Sequence, residues 1–261
     1  MKKILFALIG IVATTLTSCL PDPEFSYSVP YSRVATIDTT GGSVKFIADY
    51  TGEVFKNITN LMHPEDLAMF NLEGAQRAEV LIRLDIDESY KQSLLMLDAR
   101  KIDVRPITNK VPTDTMPLLS LQRYPLGGTV FTPTAWVSNG YLNILPVIPS
   151  EDKTAQYFLT PEKAIKDSIY FKLTASYKED ASKTLYENIH CYDLRTLRDT
   201  DNADAALSNK MREVLSAMET HRGDSIMIIV TGDFIDYNYK GKDTIRTINH
   251  TTNYFKCNFL Q

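Results

Sequence analysis

The chain of 261 residues is poor in the side chains that most often carry chemistry, with four His, three Cys and one Trp. His63, His190, His221 and His250 stand apart in sequence. His190 and Cys191 are adjacent, and on a strand two neighbours point to opposite faces, so a shared metal is not expected. No His-Glu-x-x-His, Gly-x-Ser-x-Gly, P-loop or Gly-x-Gly-x-x-Gly stretch occurs. The reading is therefore of a chain with no catalytic residue, no metal and no cofactor. A basic excess is also missing: 28 Lys and Arg face 32 Asp and Glu, a formal charge of −4, which argues against a nucleic-acid partner. Beyond the N-terminus no stretch has 18 consecutive apolar residues, so no further segment is expected to cross a membrane as a helix. With 44% hydrophobic residues the remainder is ordinary for a folded protein, which excludes collagen-like, coiled-coil and disordered classes.

The N-terminus is the most informative stretch. Lys2 and Lys3 precede an apolar run from Ile4 to Val12, the length of a signal-peptide core and too short to span a bilayer. It ends in Leu16-Thr17-Ser18-Cys19, which resembles a bacterial lipobox: an apolar residue, two small ones, then the Cys that is acylated. Residues 1–18 are thus expected to be a lipoprotein signal peptide, with Cys19 carrying palmitate or similar acyl chains. Each buried CH₂ adds about 0.8 kcal/mol of membrane affinity, so the anchor is lipid and not surface charge. Loss of Lys2 and Lys3 leaves 26 basic against 32 acidic side chains, a net charge of −6. Residues 19–31, with Pro21, Pro23 and Pro30, read as an extended tether. Cys191 and Cys257 remain. In an exported chain they are candidates for a disulfide closing a loop of about 67 residues, or equally for two buried thiols.

Periodicity makes the rest mainly β. Val34 to Ile47 holds two short strands around Thr39-Thr40-Gly41-Gly42, and Val54 to Ile58 a third. Pro64-Glu65-Asp66 opens a short helix, with Pro at its first position and two acids where the helix dipole favours them. In Ala78 to Asp87 the residues Val80, Ile82, Leu84 and Ile86 alternate strictly, so one face is buried; Leu94 to Val104 follows as another strand. Seven of the twelve prolines lie between Pro106 and Pro149, and residues 108–125 read as a Pro-rich linker. Beyond it, Asn139-Gly140 between apolar runs is a strong hairpin signal. Ser168 to Tyr177, Asn188 to Leu194, Ile226 to Val230, Phe234 to Tyr239, Thr244 to Ile248 and Asn253 to Leu260 read as strands. Leu207, Met211, Val214, Leu215 and Met218 form the stripe of one amphipathic helix.

Taken together, the lipobox, Gly74-Ala75-Gln76-Arg77-Ala78-Glu79-Val80 and Ala135-Trp136-Val137-Ser138-Asn139-Gly140-Tyr141-Leu142-Asn143-Ile144 resemble the NigD-like lipoproteins of Bacteroidetes, as do Asp167 to Leu173 and Asn188 to Leu197. The resemblance implies an N-terminal OB-like small barrel over residues 32–107 followed by a C-terminal β-sandwich over 126–261. It brings no catalytic residues, and the family's name implies a role in bacteriocin immunity. Asp22 and Glu24 are reminiscent of acidic export signals on surface lipoproteins of that phylum, in keeping with an outer-membrane address.

The candidate contact residues are few. Trp136 and Tyr141 suit either sugar stacking or cross-strand packing. Tyr237, Tyr239, Lys240 and Lys242 form an aromatic and basic hairpin tip, suited to a partner or to plain solvation. Asp199 to Asp204 faintly resembles a calcium loop but lacks the central Gly, and helix capping is its simpler use. Three classes follow: a non-catalytic envelope protein that binds a protein or glycan, a fimbrillin-like adhesin or pilus subunit cleaved near Arg33, and a glycan-active hydrolase using Asp233 and Asp236.

Overall fold

A computed structural model of the chain describes residues 30–61, 63–86, 92–107, 113–127, 129–150, 152, 154–178, 186–199, 205–237 and 243–259. Cys19 and most of the tether lie outside them. So do residues 200–204, most of the calcium-like loop, and Tyr239, Lys240 and Lys242.

The first unit is a five-stranded antiparallel sheet built from β1 (Tyr31–Asp38), β2 (Lys45–Ala48), β3 (Val54–Lys56), β4 (Arg77–Ile86) and β5 (Gln92–Lys101), in the order β3-β2-β1-β4-β5. Alternation sets its inner face: Ala35, Phe46, Ala48, Ala78, Val80, Ile82 and Met96 fill one hydrophobic cluster. The sheet curls until its ends meet. Ile58, just past β3, bridges to Leu94 of β5 in parallel, and Asn60 pairs with the Met96 backbone at 2.8 and 3.1 Å. This is the closed, OB-like arrangement the resemblance implied. Pro64–Phe70 between β3 and β4 is a 3-10 turn, started by His63 N–H donating to the Asp66 carboxylate at 2.8 Å, and it seats Leu67 in the barrel core.

The second unit is built around two four-stranded sheets, beside which β7 (Ser120–Leu121), β12 (Pro146–Ile148) and β15 (Tyr186–Glu187) form a three-stranded sheet and β8 (Pro125–Gly127) and β9 (Val130–Phe131) a two-stranded one. One four-stranded sheet is formed by β6 (Val104–Pro106), β10 (Ala135–Ser138), β11 (Tyr141–Ile144) and β16 (His190–Asp193), ordered β10-β11-β16-β6. The other comprises β13 (Gln156–Ile165), β14 (Ser168–Ser176), β17 (Met227–Tyr237) and β18 (Asp243–Thr251), in chain order. Leu142, Ile144 and Tyr192 from the first meet Leu159, Phe171 and Val230 from the second in a single core. β14 and β17 run parallel, which requires a long crossover. That crossover carries β16 and the helix α1 (Ala205–Thr220), whose Leu207, Met211, Val214 and Met218 are buried on the same core. At the hairpin between β10 and β11, Asn139 and Gly140 both have positive φ, 52° and 83°, as a primed turn requires.

The chain departs from expectation in three places. β6 belongs to the second unit, because Val104 to Pro106 pair in parallel with Cys191 to Asp193. The described part of the expected 108–125 linker is stitched into the sandwich: Met116 bridges to Ala175, Leu118 bridges to Phe234, and β7 (Ser120–Leu121) pairs with β12 (Pro146–Ile148). Proline forbids a long ladder there, yet Leu118 and Leu121 supply apolar anchors between the prolines. Residues 253–259 form no strand; Phe255 makes one bridge to Ile226, and the Asn253 side chain takes up the backbone N–H and C=O of Val137 at 2.9 and 3.2 Å. The pairing of β1 also bears on the adhesin reading. It sits centrally between β2 and β4, and a cut near Arg33 would remove only its first three residues, Tyr31 to Arg33, which pair with Ile82 to Val80 of β4, leaving its pairing with β2 in place.

Candidate functional site

The chemically distinctive residues meet where the two units join. On β1 and β4 the residues that alternate away from the barrel core, Val34, Thr36, Arg77 and Glu79, face the second unit. On the β10-β11-β16 sheet, register places Trp136 opposite Asn143 and Asn143 opposite Cys191, one row across three strands. That row lies against the barrel. Val34, Ile102, Tyr124, Trp136, Ile189 and Cys191 form the apolar part of the seam.

Arg77 lies at its centre, fully buried. One terminal nitrogen donates to Thr36 Oγ1 and Asp49 Oδ1, each at 2.7 Å; the other donates to Asp49 Oδ2 and, at 2.9 Å, to Asn143 Oδ1. Asp49 also accepts from Trp136 Nε1 at 2.9 Å. Asn143 accepts from Cys191 Sγ at 2.7 Å and donates to the carbonyls of Trp136 and Tyr141 at 3.3 and 3.2 Å. The guanidinium lies 4.9 Å from the centre of the Tyr141 ring, which Arg195 also approaches at 4.6 Å. Burial opposes the Arg77 charge, but the Asp49 carboxylate outweighs it and holds the group protonated above its ordinary range. Burial pushes the Cys191 thiol up to about 11 against the pull of Arg77. A cation held by a bidentate carboxylate, with a thiol kept neutral, offers neither a nucleophile nor a proton donor near neutral pH.

Trp136 and Tyr141 are thus not a contact surface: they are 0% and 3% exposed, because the barrel covers their face of the hairpin. Cys191 and Cys257 do not form a disulfide. Both are free and buried, Cys191 in the seam and Cys257 in the sandwich core. Tyr237 ends β17, with its side chain outside the described portion. Asp233 and Asp236 are three apart on β17 and so face opposite sides. Asp233 pairs with Lys172 at 3.3 Å and accepts from Thr247 at 2.7 Å, while Asp236 pairs with Arg246 at 2.9 Å. They do not assemble a carboxylate pair. Among the described residues, no three His, Cys, Asp or Glu cluster as metal ligands, and no helix is long and apolar enough to cross a membrane.

With that geometry in place, the chain can be set beside solved structures. A Bacteroides fragilis protein provisionally designated a lipoprotein is 13% identical with a TM-score of 0.54, over 87% of this chain and 99% of its own. The fold is shared. Other structural neighbours include a toxin-related protein from Parabacteroides distasonis, at 13% identity, TM-score 0.44 and coverage of 88% and 96%. A NigD-like immunity protein from Bacteroides caccae is 12% identical, with TM-score 0.44 and coverage of 87% and 93%. No family model and no curated protein matches the sequence.

Sequence reasoning did not single out Thr36, Asp49, Arg77 or Asn143 as partners. Arg77 and Asn143 lie inside the two motifs that carried the resemblance, Gly74 to Val80 and Ala135 to Ile144. These motifs are the two sides of one seam. Asp49 has no signal of its own: it sits in a turn after β2, where an acidic residue is unremarkable.

Proposed function

We propose that the chain is a non-catalytic lipoprotein, anchored in the outer membrane through Cys19, which presents a rigid two-unit body to a protein or glycan partner. Bacteriocin immunity is the role that the NigD-like resemblance implies for it. The observation that carries this reading is the use to which its motif residues are put. Arg77, Trp136, Tyr141 and Asn143 are sequestered against one another and hold two folded units together, so that none of these four presents a reactive group to solvent. The lipobox supports the anchor, and the absence of a basic excess weighs against nucleic acid.

The test is metabolic labelling with palmitate, with envelope fractionation and affinity capture in parallel for the natural chain and for Cys19→Ala. Labelling of the natural chain alone, with one dominant partner or glycan recovered, is the expected result. Label persisting in Cys19→Ala removes the anchor assignment. Turnover on a glycan panel removes the non-catalytic one.

A further inference from the structure

A second cluster of polar groups lies on the opposite face of the same sheet, where the sandwich is open. β6 and β13 are edge strands of the two sheets. Between them lies a cleft of about 430 Å³, lined by Arg105, Ile107, Gln156, Tyr157, Phe158 and Asp199. That volume is within the range of small-ligand sites. Thr196 fixes one wall, accepting from Ile107 N–H at 2.8 Å and donating to the Asp193 carbonyl at 2.6 Å.

Arg105 is the half-buried cation of this cleft, and its guanidinium has no hydrogen bond or ion pair among the described residues. Parallel pairing places it beside Tyr192, which shares a strand face with His190. Directly behind the cleft wall, the Tyr157 ring lies 4.3 Å from the His190 ring. His190 Nε2 and the Tyr192 hydroxyl are buried without a hydrogen-bond partner among the described residues. Burial, and then Arg105, keep His190 neutral. Among the described residues, the cleft therefore holds a cation that no carboxylate pairs with, Asp199 included. Arg105, unlike the buried His190 and Tyr192 groups, lines the cleft itself and is the donor an outside ligand can reach.

We propose that this cleft binds a uronic-acid residue of an acidic glycan, a deepening that rests on the binding-protein reading above. The Arg105 fork takes the carboxylate in a bidentate contact, the interaction for which a planar guanidinium is suited. Asp199 and Gln156 accept and donate to ring hydroxyls, and the apolar face of the sugar lies on the half-buried Phe158. A wholly neutral sugar would leave Arg105 unpaired, so the carboxylate is the discriminating group.

The experiment titrates full-length protein in detergent with D-galacturonate, D-glucuronate, D-galactose and glycine, read by saturation-transfer NMR and calorimetry. The expected result is binding of at least one uronate about tenfold or more tighter than galactose, the difference one good charged contact makes. Arg105→Gln should abolish that preference, and Arg105→Lys should restore part of it, both with an unchanged melting temperature. If Arg105→Gln does not fold, the uronate-against-galactose comparison on the natural chain still decides. Equal affinity for galactose and uronate, no binding of either uronate, or Arg105-dependent binding of glycine alone would each overturn the proposal. Palmitate labelling and partner capture are untouched by those outcomes, so the cleft can fail while the lipoprotein reading stands.

Discussion

The seam makes the sharpest prediction, because it combines a buried ion pair with the only tryptophan in the chain. In Arg77→Met the Asp49 carboxylate, 3% exposed, keeps Trp136 Nε1 and loses both guanidinium contacts. An unpaired buried carboxylate costs about 3–5 kcal/mol, and the Asn143 amide oxygen also loses one donor while keeping Cys191. Asp49→Leu strands the guanidinium in the same way, with Thr36, Asn143 and the Tyr141 ring left to it. Each single variant should thus be destabilised by about 3–5 kcal/mol. The double variant Asp49→Leu, Arg77→Met removes both charges and fills the space with apolar groups of similar size. It should recover to within about 1–2 kcal/mol of the natural chain, less the cost of leaving Trp136 Nε1 unpaired.

Trp136 reports the outcome directly. Its indole donates to Asp49 inside a closed seam, so urea unfolding followed by its fluorescence reads the junction, while far-ultraviolet circular dichroism reads the strands of both units. In the natural chain the two transitions should coincide, since the seam couples the units into one cooperative body. In the single variants the fluorescence transition should move to lower urea first. Two results would sink the reasoning. One is a double variant as unstable as the singles, which would mean that charge pairing is not what the partners exchange. The other is a natural chain whose fluorescence and dichroism transitions separate, which would mean that the units are not fastened at this point.

Three further outcomes follow from single residues. His190 is held near pKa 3 by burial and by Arg105, against about 6.5 unfolded, so the unfolded chain binds the extra proton and stability falls as pH drops below 6.5. Between pH 7.5 and 5 this one group should cost about 2 kcal/mol, seen as the difference in urea stability between the natural chain and His190→Phe; parallel pH profiles would refute it. Burial pushes the Cys191 and Cys257 thiols up to about 11 and about 12, so an aromatic disulfide reagent at pH 8 should label neither until urea is added. Rapid labelling of the native chain would contradict that. Gly140 has φ 83°, and a Cβ there would stand 3.0 Å from the Phe259 ring, so Gly140→Ala should cost about 1–2 kcal/mol, read as a lower melting temperature.

How far the sequence could be read depends on which physical signal each feature leaves. Alternation placed β4 within a residue or so, the 3.6-residue stripe placed α1, and Asn139-Gly140 placed the hairpin, because each is a local pattern set by one buried face. The seam left no such pattern. Arg77 looks like a solvated outward residue of a half-buried strand, since the alternation of Ala78, Val80 and Ile82 correctly puts it off the barrel core. Nothing local says that a second unit covers that outer face. Trp136 and Tyr141 misled for the same reason: flat aromatics beside a turn look available until a neighbouring unit closes over them. The Pro-rich stretch misled in the other direction, since prolines forbid ladders but leave Leu118 and Leu121 free to anchor the chain. Each of these errors lies at a contact between segments far apart in sequence. The two resemblance motifs mark that contact from opposite sides, Arg77 from one and Asn143 with Trp136 from the other. What they specify is therefore the angle and rigidity of two units, and a binding surface must be sought elsewhere. The open side of the sandwich, where Arg105 has no ion pair among the described residues, is the place proposed for it.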